Sequence, residues 1–193
     1  QREQLLQPGL SLNWLGHASV LLHFNGHYYL TDPVFSARVS PFNWMGPKRF
    51  FPAPIALAAL PELEAVLISH DHYDHLDHLT IKALKDKAKH FIVPLGVAAT
   101  LRFWGVEPGK ITELDWEESV QTADFTVRAL PTRHFSGRGL ARNQTLWCAY
   151  ALSHPQLRVY FGGDSGYFPQ YVELGEKHGP FDLTLMPVGA HDE

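Results

Sequence analysis

Apolar residues near the start of the chain fall in short runs, 12–15, 19–24 and 27–31, separated by Gly16-His17 and Asn25-Gly26. Asn-Gly between two such runs is a strong two-residue hairpin signal, so the chain is expected to open as an antiparallel meander. Over residues 32–61 the alternation stops. Pro, Phe and Trp accumulate there, with PFNWMGPKRFFPAP at the centre. This predicts a long ordered loop with aromatic anchors near a binding site.

The pattern then changes. Residues 65–69 (AVLIS) are continuously apolar, the mark of a strand buried on both faces. Residues 76–88 have helical spacing with Lys in the last turn. Further strands are predicted at 90–93, 111–114 and 124–130, and helices at 97–104 and 169–178. A hairpin is expected from 146–152 and 157–161 around Ser153-His154-Pro155, followed by a last buried strand at 182–188. Strands come first and strand–helix alternation follows, so the fold class is mixed α/β, with sheet strands covered by helices.

Composition narrows the function more than the fold. Lys and Arg number 16 against 20 Asp and Glu, a net charge of −4, which gives no electrostatic reason to expect a nucleic-acid partner. A hydrophobic share of 45% with 19% charged residues argues against disorder. The single cysteine, Cys148, excludes an internal disulfide framework and a Cys-rich zinc knuckle. No stretch reads as a membrane span, since the best candidate, 52–69, is interrupted by three prolines and two glutamates. The opening QREQLLQPG lacks a signal-peptide pattern and an initiator Met, and the chain stops shortly after an apolar run, at GAHDE. The expectation is a fragment or truncated form, cytoplasmic, with any membrane contact peripheral.

The unusual number is 12 histidines, four of them between His70 and His78. The segment SHDHYDHLD follows the buried strand and precedes a helix, where α/β sheets place ligand sites. In extended backbone, residues two apart point the same way, so His70 and His72 can grip one ion. The turn into the helix re-aims Asp74 and His75 toward a second position. Two other strand ends supply matching groups: His134 after 124–130, and Asp164 after Gly162-Gly163. A carboxylate such as Asp164 can bridge two ions, although GGDSG alone is also an ordinary turn sequence. Imidazole and carboxylate suit Zn, Fe or Mn. His78 reads as a surface residue, and His23, His27, His90, His154 and His178 as structural or exposed.

These residues resemble the metallo-β-lactamase-fold hydrolases, and within them the branch of N-acylphosphatidylethanolamine-hydrolysing phospholipase D and its bacterial relatives. The matching segments are WLGHASVLL, YLTDPVFSARVSPFNWMGPKRF, AVLISHDHYDHLD, FIVPLG, ITELDWEE, FGGDSGYFPQY and GPFDLTLMPVGA. The resemblance implies one four-layer αβ/βα sandwich domain over 1–193, incomplete at its C-terminus. It implies that His70, His72 and His134 bind a first metal, that Asp74 and His75 bind a second, and that Asp164 bridges. Asp32 of the TDP element would orient a ligand imidazole. The family has one more ligand His on a later strand. The chain ends before that point, and His191 is left unassigned.

The activity implied is hydrolysis by a metal-bound hydroxide held between two ions, with Asp74 orienting it and shuttling its proton. Zn2+ is the expected cofactor, two per complete site, with Fe or Mn also compatible. The substrate implied is a phosphodiester of N-acylphosphatidylethanolamine type. Arg133, Arg138 and Arg142 are candidates to meet phosphate charge, as are Lys48 and Arg49; each otherwise reads as a solvated charge. Phe42, Trp44, Phe50 and Phe51 read as core packing ahead of lipid contact. The alternatives are a lactonase or other ester hydrolase on the same scaffold, or a truncated metal-binding protein with little activity. The partners expected are a small-molecule or phospholipid substrate, with a homodimer left open.

Overall fold

Two sheets face one another, and the site lies along one edge of the seam between them. The structure, a computed structural model, describes residues 4–7, 9–41, 44–139 and 141–188; Phe42 and His191 lie outside these. The first sheet takes its strands in chain order: β1 (Gln4–Gln7), β2 (Leu10–Gly16), β3 (Ser19–Phe24), β4 (His27–Thr31), β5 (Leu63–Leu67), β6 (Ala88–Pro94) and β7 (Ile111–Leu114). β1 to β4 pair antiparallel and β4 to β7 parallel. The β3–β4 turn puts Asn25 at φ 50° and Gly26 at φ 89°. Positive φ at both central residues is what the twist of a two-residue hairpin requires.

The parallel half needs crossovers, which α1 (His78–Leu84) and α2 (Val97–Phe103) supply. α1 is shorter than the periodicity predicts. It ends at Leu84 because the next residues are claimed elsewhere: Lys87 N–H donates to Leu84 O, and Lys87 O accepts from Leu63 N–H as β6 begins at Ala88. The second sheet runs in the order β12 (Leu183–Leu185), β11 (Leu157–Phe161), β10 (Ala149–His154), β9 (Thr126–Leu130), β8 (Ser119–Gln121). α3 (Gln170–His178) carries the chain from β11 to the parallel β12. The predicted buried strand at 182–188 is only β12, half-exposed at the edge of the sheet among the described residues.

Period-two alternation sorts the side chains into layers. Ala65 and Leu67 of β5 enter the core between the sheets with Phe24, Tyr29, Ile92, Phe125, Val127, Tyr150 and Val159. Val66 and Ile68 point the other way, against Ile81 and Leu84 of α1 and Leu101 of α2. On the far side Leu174 of α3 and Phe168 pack on Leu130, Ala151 and Tyr160. The order is helix, sheet, sheet, helix, the αβ/βα sandwich expected. It explains why residues 65–68 are all apolar: each fully buried aliphatic side chain contributes about 1.5–3 kcal/mol, and this stretch has one core on each face.

Candidate metal centre

The strand end after β5 is locked before any histidine is placed. Asp32, just past β4, is fully buried, with φ 34° and its N–H bonded to Leu67 O. Its carboxylate accepts Ser69 N–H at 2.7 Å and Ser69 Oγ–H at 2.6 Å. It also accepts His75 Nδ1–H at 2.7 Å. Ser69 Oγ, its proton spent on Asp32, is free to accept from His70 Nδ1 at 2.9 Å. Both rings therefore carry their proton on Nδ1 and turn Nε2 toward the site.

The other sheet brings the remaining groups to the same place. Cys148 N–H bonds Ser69 O, and Tyr150 OH donates to Ile68 O and Ile92 O, so β10 is fastened to the ends of β5 and β6. The ends of β9 and β11 are joined by the bridge between Arg133 and Gly166, with Ser165 Oγ accepting Arg133 N–H. That juxtaposes His134 and Asp164. Gly163, at φ 58°, is where the second sheet touches the first: a Cβ there would stand 2.6 Å from Ser69 Cβ. Only glycine permits that approach in that conformation.

Every predicted ligand converges. His72 Nδ1 lies 2.9 Å from His70 Nε2 and 3.2 Å from His134 Nε2. His75 Nε2 is 3.2 Å from Asp164 Oδ2 and 3.7 Å from Asp74 Oδ2. Asp164 Oδ2 is also 3.8 Å from His134 Nε2, which puts it between the two clusters. The two carboxylates are ionised. Burial pushes Asp74 up, but the hydrogen bond from His17 and the charge of His75 hold it well below the carboxylate range. Asp164 is also lowered, because its bond to His75 outweighs its burial. Burial pushes His70, His72 and His134 down, toward the neutral imidazole that ligates. His75 is the exception. Burial acts downward, but Asp32 and Asp164 outweigh it and hold the ring up at about 10. Neutral imidazoles beside ionised carboxylates fit a divalent cation; His75 must give up its Nε2 proton to join them.

The motif's other acids have structural work. Asp71 Oδ1 accepts Gly137 N–H and steadies the segment after His134. Asp77 stands at the N-cap position of α1, but its side chain makes no capping bond; it accepts N–H and Oγ–H from Ser36 and N–H from Phe35, tying down the start of the aromatic loop. His78 is exposed and lies tilted against the Trp104 ring.

The basic candidates divide. Arg138 donates to the carbonyls of Asp71 and Leu76 and lies over the Tyr73 ring, so its guanidinium is committed to the protein. Arg49 is likewise spent on Leu15, Val34 and Phe51 carbonyls. Arg133 is exposed and donates to Tyr167 O. Arg142 is exposed, over the Phe135 ring, which in turn contacts His72. Lys48 lines a cleft of about 620 Å³ that runs from Val20, Val34 and Val39 to Asp74 and Asp164. Core packing of the aromatic loop is corrected: Trp44 is 75% exposed and Phe50 fully so. Arg49 pins the backbone inward at its own position and leaves the flanking side chains facing out.

His17 is the residue that sequence reasoning passed over. It sits in the β2–β3 turn at φ 48°, with its carbonyl held by Trp14 Nε1–H. Its Nε2 lies 3.0 Å from Asp74 Oδ2 and 3.2 Å from His75 Nε2. Its local pattern, Gly-His between two apolar runs, signals only a turn.

A family model described as a beta-lactamase superfamily domain matches residues 27–193. An uncharacterized protein of Mycobacterium tuberculosis is 53% identical over 184 residues, 95% of this chain and 50% of its own length. The N-acyl-phosphatidylethanolamine-hydrolyzing phospholipase D 1 of Caenorhabditis elegans is 39% identical over 198 residues, 96% of this chain and 55% of its own. Among solved structures, CmlA, a diiron beta-hydroxylase from Streptomyces venezuelae, superposes with a TM-score of 0.71 at 25% identity, covering 95% of this chain and 34% of that one. The chain spans about half the length of the curated relatives it matches.

Proposed function

The chain belongs to the beta-lactamase superfamily, and on that premise we propose that it works as a metal-dependent hydrolase of phospholipase D type. Its substrate would be a phosphodiester of the N-acylphosphatidylethanolamine class. The observation that carries the reading is the meeting of three imidazoles, His70, His72 and His134, with Asp74 and His75 on either side of Asp164. Three imidazoles are a known protein ligand set for a catalytic zinc, which favours zinc; the similarity to a diiron hydroxylase keeps iron as the second reading. Bound ions supply Lewis acidity and lower the pKa of an attached water.

The chain's own residues divide the remaining work. Asp32 and Ser69 hold the His75 and His70 rings in the ligating orientation. Asp74, ionised and 40% exposed at the cleft, can orient the attacking water. In the overall reaction the water oxygen joins phosphorus, the phosphorus–oxygen bond to the head group breaks, and the leaving alcohol takes a proton. The apolar cleft wall suits an acyl chain, and Lys48 suits phosphate charge. Similarity to the Caenorhabditis elegans phospholipase D supports the same substrate class.

No helix among the described residues is long and apolar enough to cross a membrane. Phe50 and Phe51 line the cleft and stand exposed, and Trp44 of the same loop is exposed too, which supports peripheral contact with a lipid surface. The test is a paired assay of an N-acylphosphatidylethanolamine and a lactone, with metal analysis of the same sample. Phosphodiester turnover that fails with metal in His72→Ala is expected. Turnover of the lactone alone would refute the substrate class, and full activity without bound metal would refute the mechanism.

A further inference from the structure

We propose that Arg138 is a positioning residue for the first ion: with Gly137 and Tyr73 it latches the turn that carries His72 to the segment that carries His134, so that ligands from the two sheets are held together before an ion arrives. The proposal rests on the metal-dependent reading above and deepens it at the same site.

The turn needs such a partner. Residues 71–76 hold His72, Asp74 and His75 but belong to neither β5 nor α1. Among the described residues their backbone-to-backbone bonds are internal, from His75 N–H and Leu76 N–H to His72 O. That leaves the carbonyls of Asp71 and Leu76, both buried residues at the two ends of the turn, to other donors, and a buried carbonyl is rarely left unpaired. His134 is no better anchored by regular structure, since it lies past the end of β9, one residue beyond the bridge at Arg133. Ligand geometry has to be held to about 0.5 Å to be productive, and here two irregular segments must hold it.

One side chain serves both ends of the turn. Arg138 Nη1 donates to Asp71 O at 2.8 Å and to Leu76 O at 2.7 Å. Two more bonds close the same seam: Tyr73 OH donates to Arg138 O at 2.7 Å, and Gly137 N–H donates to Asp71 Oδ1 at 2.7 Å. All four join residues 71–76 to residues 137–138, a few positions beyond His134.

The chemistry of the side chain fits a latch better than a solvated charge. Among the described residues its close partners are those two carbonyls and two aromatic rings, with the guanidinium 4.0 Å from the Tyr73 ring centre and 5.1 Å from that of Trp104. None is a carboxylate. Half-burying a cation against neutral carbonyls carries a desolvation cost that an outward-facing arginine avoids, and the ring faces offset part of it. A flat guanidinium can stack and donate at once, which an ammonium cannot.

Amide exchange of the metal-free full chain and cobalt(II) titration test this, with wild type, Arg138→Ala and Tyr73→Phe side by side. In wild type without metal, the N–H groups of His75, Leu76 and Gly137 should be protected. Arg138→Ala should release them while β5 stays protected. It should also weaken the first cobalt ion by about 10–100-fold, the range for losing a group that orients a ligand, with a changed d–d band. Where each variant is fully native, such a loss is local, because affinity for the native state does not then depend on global stability. Tyr73→Phe removes one bond of the latch and keeps the guanidinium, so a loss of about 5-fold is expected.

If Arg138→Ala (or Tyr73→Phe, should the first variant not fold) binds cobalt with wild-type affinity and band, or leaves exchange at His75, Leu76 and Gly137 unchanged, the latch is overturned and the metal-dependent reading stands. If wild type itself binds no cobalt, both fall.

Discussion

Asp32 is the residue on which the site's geometry turns. Its carboxylate holds Ser69 by two bonds and His75 by one, in full burial. Asp32→Asn keeps the size but replaces one acceptor with a donor aimed at groups that already donate. Metal affinity at the His75 position is expected to fall about 10–100-fold, measured by competition with a chelator; unchanged affinity would contradict the role. His75 adds a pH dependence. Its folded pKa of about 10 lies above the 6.5 of an unperturbed ring, so this group's stabilisation is complete below about pH 6.5 and lost as pH rises through 10. Metal-free protein should therefore show a falling Tm over that window. Zinc affinity should rise over the same window, because loading displaces the Nε2 proton. A flat metal-free Tm would contradict this. At this scale the sequence was legible where the rule is local: His70 and His72 share a side because they lie two apart in extended chain. His17 was not legible, because no local rule says that a hairpin turn will land beside a residue 58 positions on.

Elements were predicted best where side-chain pattern alone decides them. β3, β4, β5, β7, β11 and α3 stand within two residues of the apolar runs that mark them. β1 and β8 escaped because QLLQ and SVQ are short and polar at their ends, and their backbone pairing needs no apolar face. α1 starts at His78, two residues later than its periodicity predicts, with Asp77 at the N-cap position and its side chain taken by Phe35 and Ser36 some forty residues upstream. The aromatic loop was placed correctly beside the cleft but wrongly turned inward. Phe50 is fully exposed, so Phe50→Ser should leave stability within about 0.5 kcal/mol while reducing co-sedimentation with phosphatidylethanolamine vesicles. A lower Tm with vesicle binding intact would restore the packing reading.

On the scale of the whole molecule, the sandwich makes the site a consequence of the core. Ala65 and Leu67 bind the first sheet to the second, and the same strand, continued by two residues, ends at His70. Phe125→Ala, deep in that shared core, should cost about 3–5 kcal/mol and weaken metal binding together with folding, as urea unfolding with and without zinc would report. Ions bound only to the native state add stability by mass action, about 2.7 kcal/mol at a hundredfold excess over Kd, so chelation should lower the Tm of wild type more than that of His72→Ala. The layered fold was legible because residues 65–68 are apolar on both faces. Which strand ends would meet was not, since that depends on Gly163 letting the second sheet close on Ser69. The central claim, that groups from three strand ends assemble one two-ion centre about Asp164, is met most directly by anomalous diffraction at the zinc edge from zinc-loaded crystals. Two peaks about 3.5–4 Å apart, one on each side of the Asp164 carboxylate, are predicted; peaks away from Asp164, or none among His70, His72, His75 and His134, would contradict it.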